Sequence, residues 1–117
     1  LASEWSTKSV HEVEVPFELN LGGIVVVGRI DAIYRENNQW LVVDWKTGKS
    51  KQGEELREAS VQLAIYRLAW AALMQCELTE VSAAFHYVLD KQSITPVDLM
   101  SESELIKLIR EFQSHPE

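Results

Sequence analysis

A chain of 117 residues can enclose one core but not two, so a single domain is expected over 1–117. Its 46% hydrophobic and 25% charged content excludes a low-complexity or fibrous chain and fits an ordinary globular fold. The net charge of -7 argues against free-standing nucleic-acid binding through Lys and Arg contacts, while leaving room for a cluster of acids around a cation.

Residues 1–9 are polar and read as a loop or frayed start. From Val10 to Leu21, Val13, Val15, Phe17, Leu19 and Leu21 fall at every second position, the period of a strand with one buried face. Pro16 within it points to an edge or a bulge. Gly22-Gly23 turns the chain into a hairpin. Ile24 to Tyr34 is β-branched and nearly continuous, which predicts a strand buried on both faces. Asp31 lies inside it, and an ionised carboxylate there is costly unless paired or metal-bound. Glu36 to Gln39 is a polar turn, and Trp40 to Lys46 a third strand, so the three make an antiparallel meander. A Lys- and Gly-rich loop follows over 47–53.

Glu54 to about Glu77 has strong helix formers, no Gly or Pro, and acids in its first turn. Leu56, Leu63, Tyr66, Trp70 and Leu73 form its stripe, and 61–74 is apolar nearly all round, so the helix packs on more than one neighbour. Glu80 to Leu89 is a fourth strand with Val81, Ala83, Phe85, Tyr87 and Leu89 on one face. The 90–93 segment turns, and Ile94 to Leu99 is a short fifth strand limited by Pro96. Ser101 and Glu104 form a capping box for a last helix that buries Leu105, Leu108, Ile109 and Phe112 and ends before Pro116. The class is therefore α/β (α+β), with a mixed sheet.

No apolar run is long enough for a membrane span and no signal-peptide pattern opens the chain. Cys76 is the only cysteine, which rules out a disulfide within the chain and favours a small apolar role. A reducing, cytoplasmic setting fits. His11 and His86 have no partners at metal-ligand spacing and read as structural or surface residues; His115 lies in a tail. Gly48-Lys49-Ser50 is no phosphate loop, because Val43 occupies the position that would need glycine.

The chemistry converges on Asp44-Trp45-Lys46. Asp44 and Lys46 lie two apart in a strand and so share a face at its open end. A carboxylate and an ammonium placed there can hold a metal ion and a reacting phosphate together. Gln62 and Tyr66, four apart, share a helix face. Taken singly, each has a plainer reading: a surface ion pair for Asp44 and Lys46, a satisfied buried carboxylate for Asp31, a core aromatic for Tyr66 and above all for Trp70.

In order and on these elements, Gly28-Arg29-Ile30-Asp31, Val43-Asp44-Trp45-Lys46-Thr47-Gly48-Lys49 and Gln62-Leu63-Ala64-Ile65-Tyr66 resemble the PD-(D/E)XK nuclease superfamily, most closely its RecB-like branch. The resemblance covers 12 to about 90. It implies a restriction-endonuclease-like fold: a three-strand meander, a long helix, a strand, a short strand and a C-terminal helix. It also implies metal binding by Asp31, Asp44 and the Trp45 backbone carbonyl, with Mg²⁺ or in its place Mn²⁺, and catalysis by those carboxylates with Lys46, Gln62 and Tyr66. The implied substrate is DNA. The implied setting is the nuclease domain of a UvrD/RecB-type bacterial helicase–nuclease, an exonuclease of repair or recombination working with helicase domains. The family's further acidic or histidine ligand on a helix before the first strand has no counterpart here, and His11, Glu12 and Glu14 are poorly placed to replace it. The cysteines that hold an iron–sulfur cluster in some relatives are also absent. The chain therefore reads as a domain core cut from a longer protein, with an inert binding or scaffolding domain of the same fold as the alternative.

Overall fold

The structure, a computed structural model, describes residues 9–48, 53–89, 91–96 and 98–114. Five strands form one sheet in sequence order: β1 (Ser9–Leu21), β2 (Ile24–Glu36), β3 (Gln39–Lys46), β4 (Val81–Tyr87) and β5 (Gln92–Ile94). The first three are an antiparallel meander, β4 lies parallel to β3, and β5 returns antiparallel to β4. The parallel step requires a crossover, and helix α1 (Gly53–Met74) supplies it; α2 (Glu102–Ser114) ends the chain.

The β1–β2 hairpin turns at Gly22 and Gly23, whose φ angles of 60° and 94° are easy only for glycine. Asn20 Oδ1 accepts the Gly23 N–H at 2.8 Å. Gly22 is needed for space as well, because a Cβ there would sit 2.8 Å from Ile106 of α2. The second hairpin turns at Asn37, which tolerates its φ of 57°.

One core lies between the sheet and the two helices. It joins Val15, Phe17, Leu19 and Leu21 of β1, Ile30 and Ile33 of β2 and Val42 of β3 to Leu63 and Trp70 of α1, Val81, Phe85 and Tyr87 of β4 and Leu105 of α2. Each large side chain removed from water there contributes about 1.5–3 kcal/mol. Trp70 is the core residue expected, edge-on to Trp40 at 5.3 Å between ring centroids. On the other face, Ala32, Tyr34 and Val43 form a smaller cluster with Leu41 and Trp45.

Several expectations need correction. β2 is buried on both faces only over its second half: Val25 and Val27 are 56% and 68% exposed. β3 is shorter and pairs with β2 only over 32–36, so the first half of β2 has β1 alone beside it. Val13, opposite Ala32, is likewise exposed; β1 carries a bulge between Val10 and Glu12, and Glu14 takes a left-handed φ of 50°.

Helix α1 ends at Met74 rather than Glu77, although no Gly or Pro stops it. Gln75 takes a left-handed φ of 54°, the Cys76 N–H bonds Ala71 O at 3.0 Å and the Gln75 N–H bonds Ala72 O at 3.2 Å. This double bond pattern closes the helix without glycine, and leaves Leu73 exposed. A 3-10 turn, Leu78–Glu80, then leads into β4, held by Arg67, whose guanidinium donates to Val81 O at 2.6 Å and Leu78 O at 2.9 Å.

β4 is a central strand buried on both faces from Ala83 to Tyr87, and Leu89 falls beyond its end, 73% exposed. The fifth strand comes earlier than expected, at Gln92–Ile94, because it pairs back on Phe85–Tyr87 directly after the turn. The capping box forms as expected: Ser101 N–H donates to Glu104 Oε1 at 2.9 Å, and Glu104 N–H to Ser101 Oγ at 3.3 Å. α2 buries Leu105, but Phe112, near its free end, is 75% exposed. The polar start at 1–8, the loop residues 49–52 and the tail carrying His115 lie outside the described residues.

Candidate active site

β3 and β4 run parallel, with Asp44 opposite Phe85 and Lys46 opposite Tyr87, so both charged side chains stand at the C-terminal end of a buried pair. They share the face turned toward α1, as Val42 does. Asp44 is 6% exposed. Lys46 Nζ lies 3.1 Å from its Oδ2, yet off the line of a hydrogen bond, and that buried oxygen has no hydrogen-bond donor. Val88 N–H donates to Lys46 O at 2.9 Å and ties the following turn to this end of β3.

Asp31 reaches the same place through an irregularity. Ile30 and Ile33 both pack in the main core, whereas Ala32 and Tyr34 pack on the opposite face. The period of two therefore slips at Asp31, beside the left-handed Glu14 on β1. The β2–β3 ladder stops at Ala32–Val43. Past that point the Trp45 N–H donates to Asp31 Oδ2 at 2.9 Å, a side chain standing in for the missing backbone acceptor. Burial, then the neighbouring Asp31 carboxyl, push the Asp44 carboxyl up to about 6, against the opposing pull of Lys46.

Gln62 and Tyr66 of α1 complete the group. Gln62 Nε2 donates to the Tyr66 hydroxyl at 2.7 Å. The Tyr66 phenol is pushed above its usual range by burial and next by the negative charges of nearby Asp44 and Asp31. The five side chains singled out in the sequence thus stand on one side of the sheet end. Asp31 and Asp44 are near enough for each carboxyl to act on the other.

The remaining candidates stay apart. His86 is buried, with Nδ1 2.8 Å from Ser93 Oγ and its ring edge-on to Trp45, on the other face. His11 packs on Trp40 and Trp70 toward the opposite end of β3, and its imidazole is 3.8 Å from Glu12. Glu14 is exposed and pairs with Arg29 at 3.5 Å. Cys76 is a half-buried free thiol whose pKa is raised by burial and next by Glu80, which makes it a poor nucleophile. Among the described residues no group of three His, Cys, Asp or Glu is placed to hold a metal. Two carboxyls in contact, one with an orphaned buried oxygen, nevertheless suit a hard cation that takes oxygen ligands and keeps several waters. No described helix is long and apolar enough to cross a membrane.

Comparison with known proteins agrees with this geometry. The family model described as the PD-(D/E)XK nuclease superfamily matches residues 1–115. Among solved structures, 16 chains match. One, the crystal structure of SSO0001, shares 24% identity at a TM-score of 0.55, over 91% of this chain and 50% of that one. At that identity the likeness speaks for the fold, and this chain spans half the length of that structure. A search of curated protein sequences gives no match.

Proposed function

Because the chain belongs to the PD-(D/E)XK nuclease superfamily, whose members are typically nucleases that use divalent metals, we propose that it hydrolyses DNA phosphodiesters with Mg²⁺. The observation that carries this reading is the meeting of Asp31 and Asp44 beneath Tyr66, with one Asp44 oxygen buried and without a donor. Asp31, Asp44 and the Trp45 backbone carbonyl would hold the ion, and Mn²⁺ would serve in its place. Bound there, a hard cation supplies a water activated near neutral pH and charge neutralisation on the phosphate.

The chain's own groups do the rest. The Trp45 N–H fixes the Asp31 carboxylate in place. Lys46, beside Asp44 and reachable from solvent, is placed to orient the attacking water and to stabilise the charge that builds on the phosphate. Gln62 donates to the Tyr66 oxygen, which leaves the phenol proton free for a phosphate oxygen.

At larger scale, the motif spelling of Asp31, Asp44-x-Lys46 and Gln62-x-x-x-Tyr66 supports the nuclease domain of a helicase–nuclease, exonucleolytic and acting in DNA repair or recombination. A second reading, an inert DNA-binding or scaffolding domain, is favoured by the lack of a third acidic, histidine or cysteine ligand among the described residues. A nuclease assay on the full natural chain with Mg²⁺ or Mn²⁺, beside Asp44→Ala and Lys46→Ala, separates the two. Cleavage by the unmodified protein alone supports catalysis. Equal cleavage by all three refutes it, and no cleavage by any favours the inert domain.

A further inference from the structure

We propose that Phe17 and Gly28 are positioning residues for the reaction: Gly28 leaves the space in which the Phe17 ring lies, and that ring holds Tyr66 over the two carboxylates. This rests on the catalytic reading of Tyr66 given above.

The two residues are direct partners across the β1–β2 ladder. A Cβ on Gly28 would stand 2.8 Å from Phe17 Cζ and 2.9 Å from Cε2, closer than side chains tolerate, so the ring lies across the bare Cα of its neighbour. Gly28 has no left-handed φ. Its lack of a side chain serves space, and the nearest atoms in that space are those of the Phe17 ring. Phe17 is 7% exposed, so the ring is confined in this pose by the core around it.

From there the ring meets Tyr66 edge-to-face, with centroids 5.5 Å apart and planes at 73°. Such an aromatic pair is directional as well as apolar. The far end of Tyr66 is tied by Gln62 Nε2 at 2.7 Å. Gln62 thus holds the phenol oxygen and Phe17 packs edge-on against its ring. Without Phe17 the ring loses that directional contact and can shift about the Gln62 tether. Gly28 also lies three residues before Asp31 on the same strand, so a shift forced there acts on the aromatic pair and the metal-facing carboxylate through one element. A misplacement of about 1 Å at a reacting group costs on the order of a hundredfold in rate.

The test is a double-mutant cycle on the full natural chain, read as the single-turnover cleavage rate of a DNA substrate in Mg²⁺, with substrate affinity measured separately. Phe17→Leu keeps an apolar side chain and is expected to lower the rate about tenfold to a hundredfold, with affinity changed less than threefold. In a Tyr66→Phe background the same substitution is expected to change the rate little, because the hydroxyl it positions is gone. Gly28→Ala, whose folding is checked by circular dichroism and urea midpoint, is expected to reproduce the loss in the Tyr66 background only. An equal loss in both backgrounds, or no loss from Phe17→Leu, overturns the proposal while leaving a catalytic Tyr66 intact. No loss from Tyr66→Phe alone overturns the catalytic reading of Tyr66 and the positioning role with it.

Discussion

Asp44→Asn should make the metal-free protein more stable. The Asp44 carboxyl is buried and pushed up from 3.8 to about 6, so ionising it in the folded state is costly. A rise of that size corresponds to about 3 kcal/mol when the group is fully ionised. The attraction to Lys46, 3.1 Å away, is already contained in that rise, so the net gain expected is about 3 kcal/mol at pH 8. Between pH 4 and pH 6 the folded protein holds a proton on Asp44 that the unfolded chain has already lost. Stability therefore falls across that window as pH rises, and stays low above it. Urea unfolding of both proteins at pH 4, 5, 6 and 8 with chelator present measures this. The Asn variant should match the parent near pH 4 and pull ahead by pH 6. A difference that is flat across the window, or a less stable Asn variant at pH 8, would refute the reasoning. Added Mg²⁺ should raise the parent's midpoint and leave the variant's unchanged.

Lys46→Met should lower DNA cleavage by at least about a hundredfold with an unchanged circular dichroism spectrum; it should also destabilise the metal-free protein above pH 6, since Asp44 then loses its counter-charge. Arg67→Met should destabilise by about 2–3 kcal/mol, because the Val81 and Leu78 carbonyls lose a charged donor. A loss under about half a kcal/mol in urea unfolding would show that water replaces the guanidinium. Gln75→Gly should stabilise by about 1 kcal/mol by removing the strain of a left-handed non-glycine at the end of α1, read as a higher urea midpoint at constant slope.

The parts of the fold that local chemistry dictates were legible in the sequence. The Gly22-Gly23 turn sets the hairpin, and counting back from it pairs Phe17 with Gly28, although the spatial meaning of that pair needs coordinates. Ser101 and Glu104 announce a helix start because both partners of the cap lie within one turn. Asp44 and Lys46 share a face simply because a strand alternates. What failed depended on neighbours distant in sequence. β2 looks buried on both faces, but β3 is too short to cover its first half, a fact about strand lengths rather than about Ile24–Tyr34. The end of α1 at Met74 is invisible in a run of good helix formers. It is imposed by the left-handed Gln75 and by Arg67 drawing the Leu78–Glu80 turn toward β4.

Asp31 shows most clearly why site geometry is the harder part. Strict alternation from Ile30 would give Asp31 one face and Ile33 the same one, yet Ile33 packs with Ile30. The slip that permits this ends the β2–β3 ladder and leaves the Trp45 N–H without a backbone acceptor, and the Asp31 carboxylate takes that role. Asp31 thereby has a structural task at one oxygen while its carboxyl also neighbours that of Asp44. A purely structural role would be served better by neutral side chains, since two touching carboxyls, one with a buried oxygen lacking a donor, cost stability whenever both are charged. A divalent cation removes that cost by supplying the missing partner. The stability that Asp44→Asn is expected to recover and the stability that Mg²⁺ is expected to add are then two readings of one unfavourable arrangement. Their agreement in size is the strongest check that these carboxyls face each other for the sake of an ion.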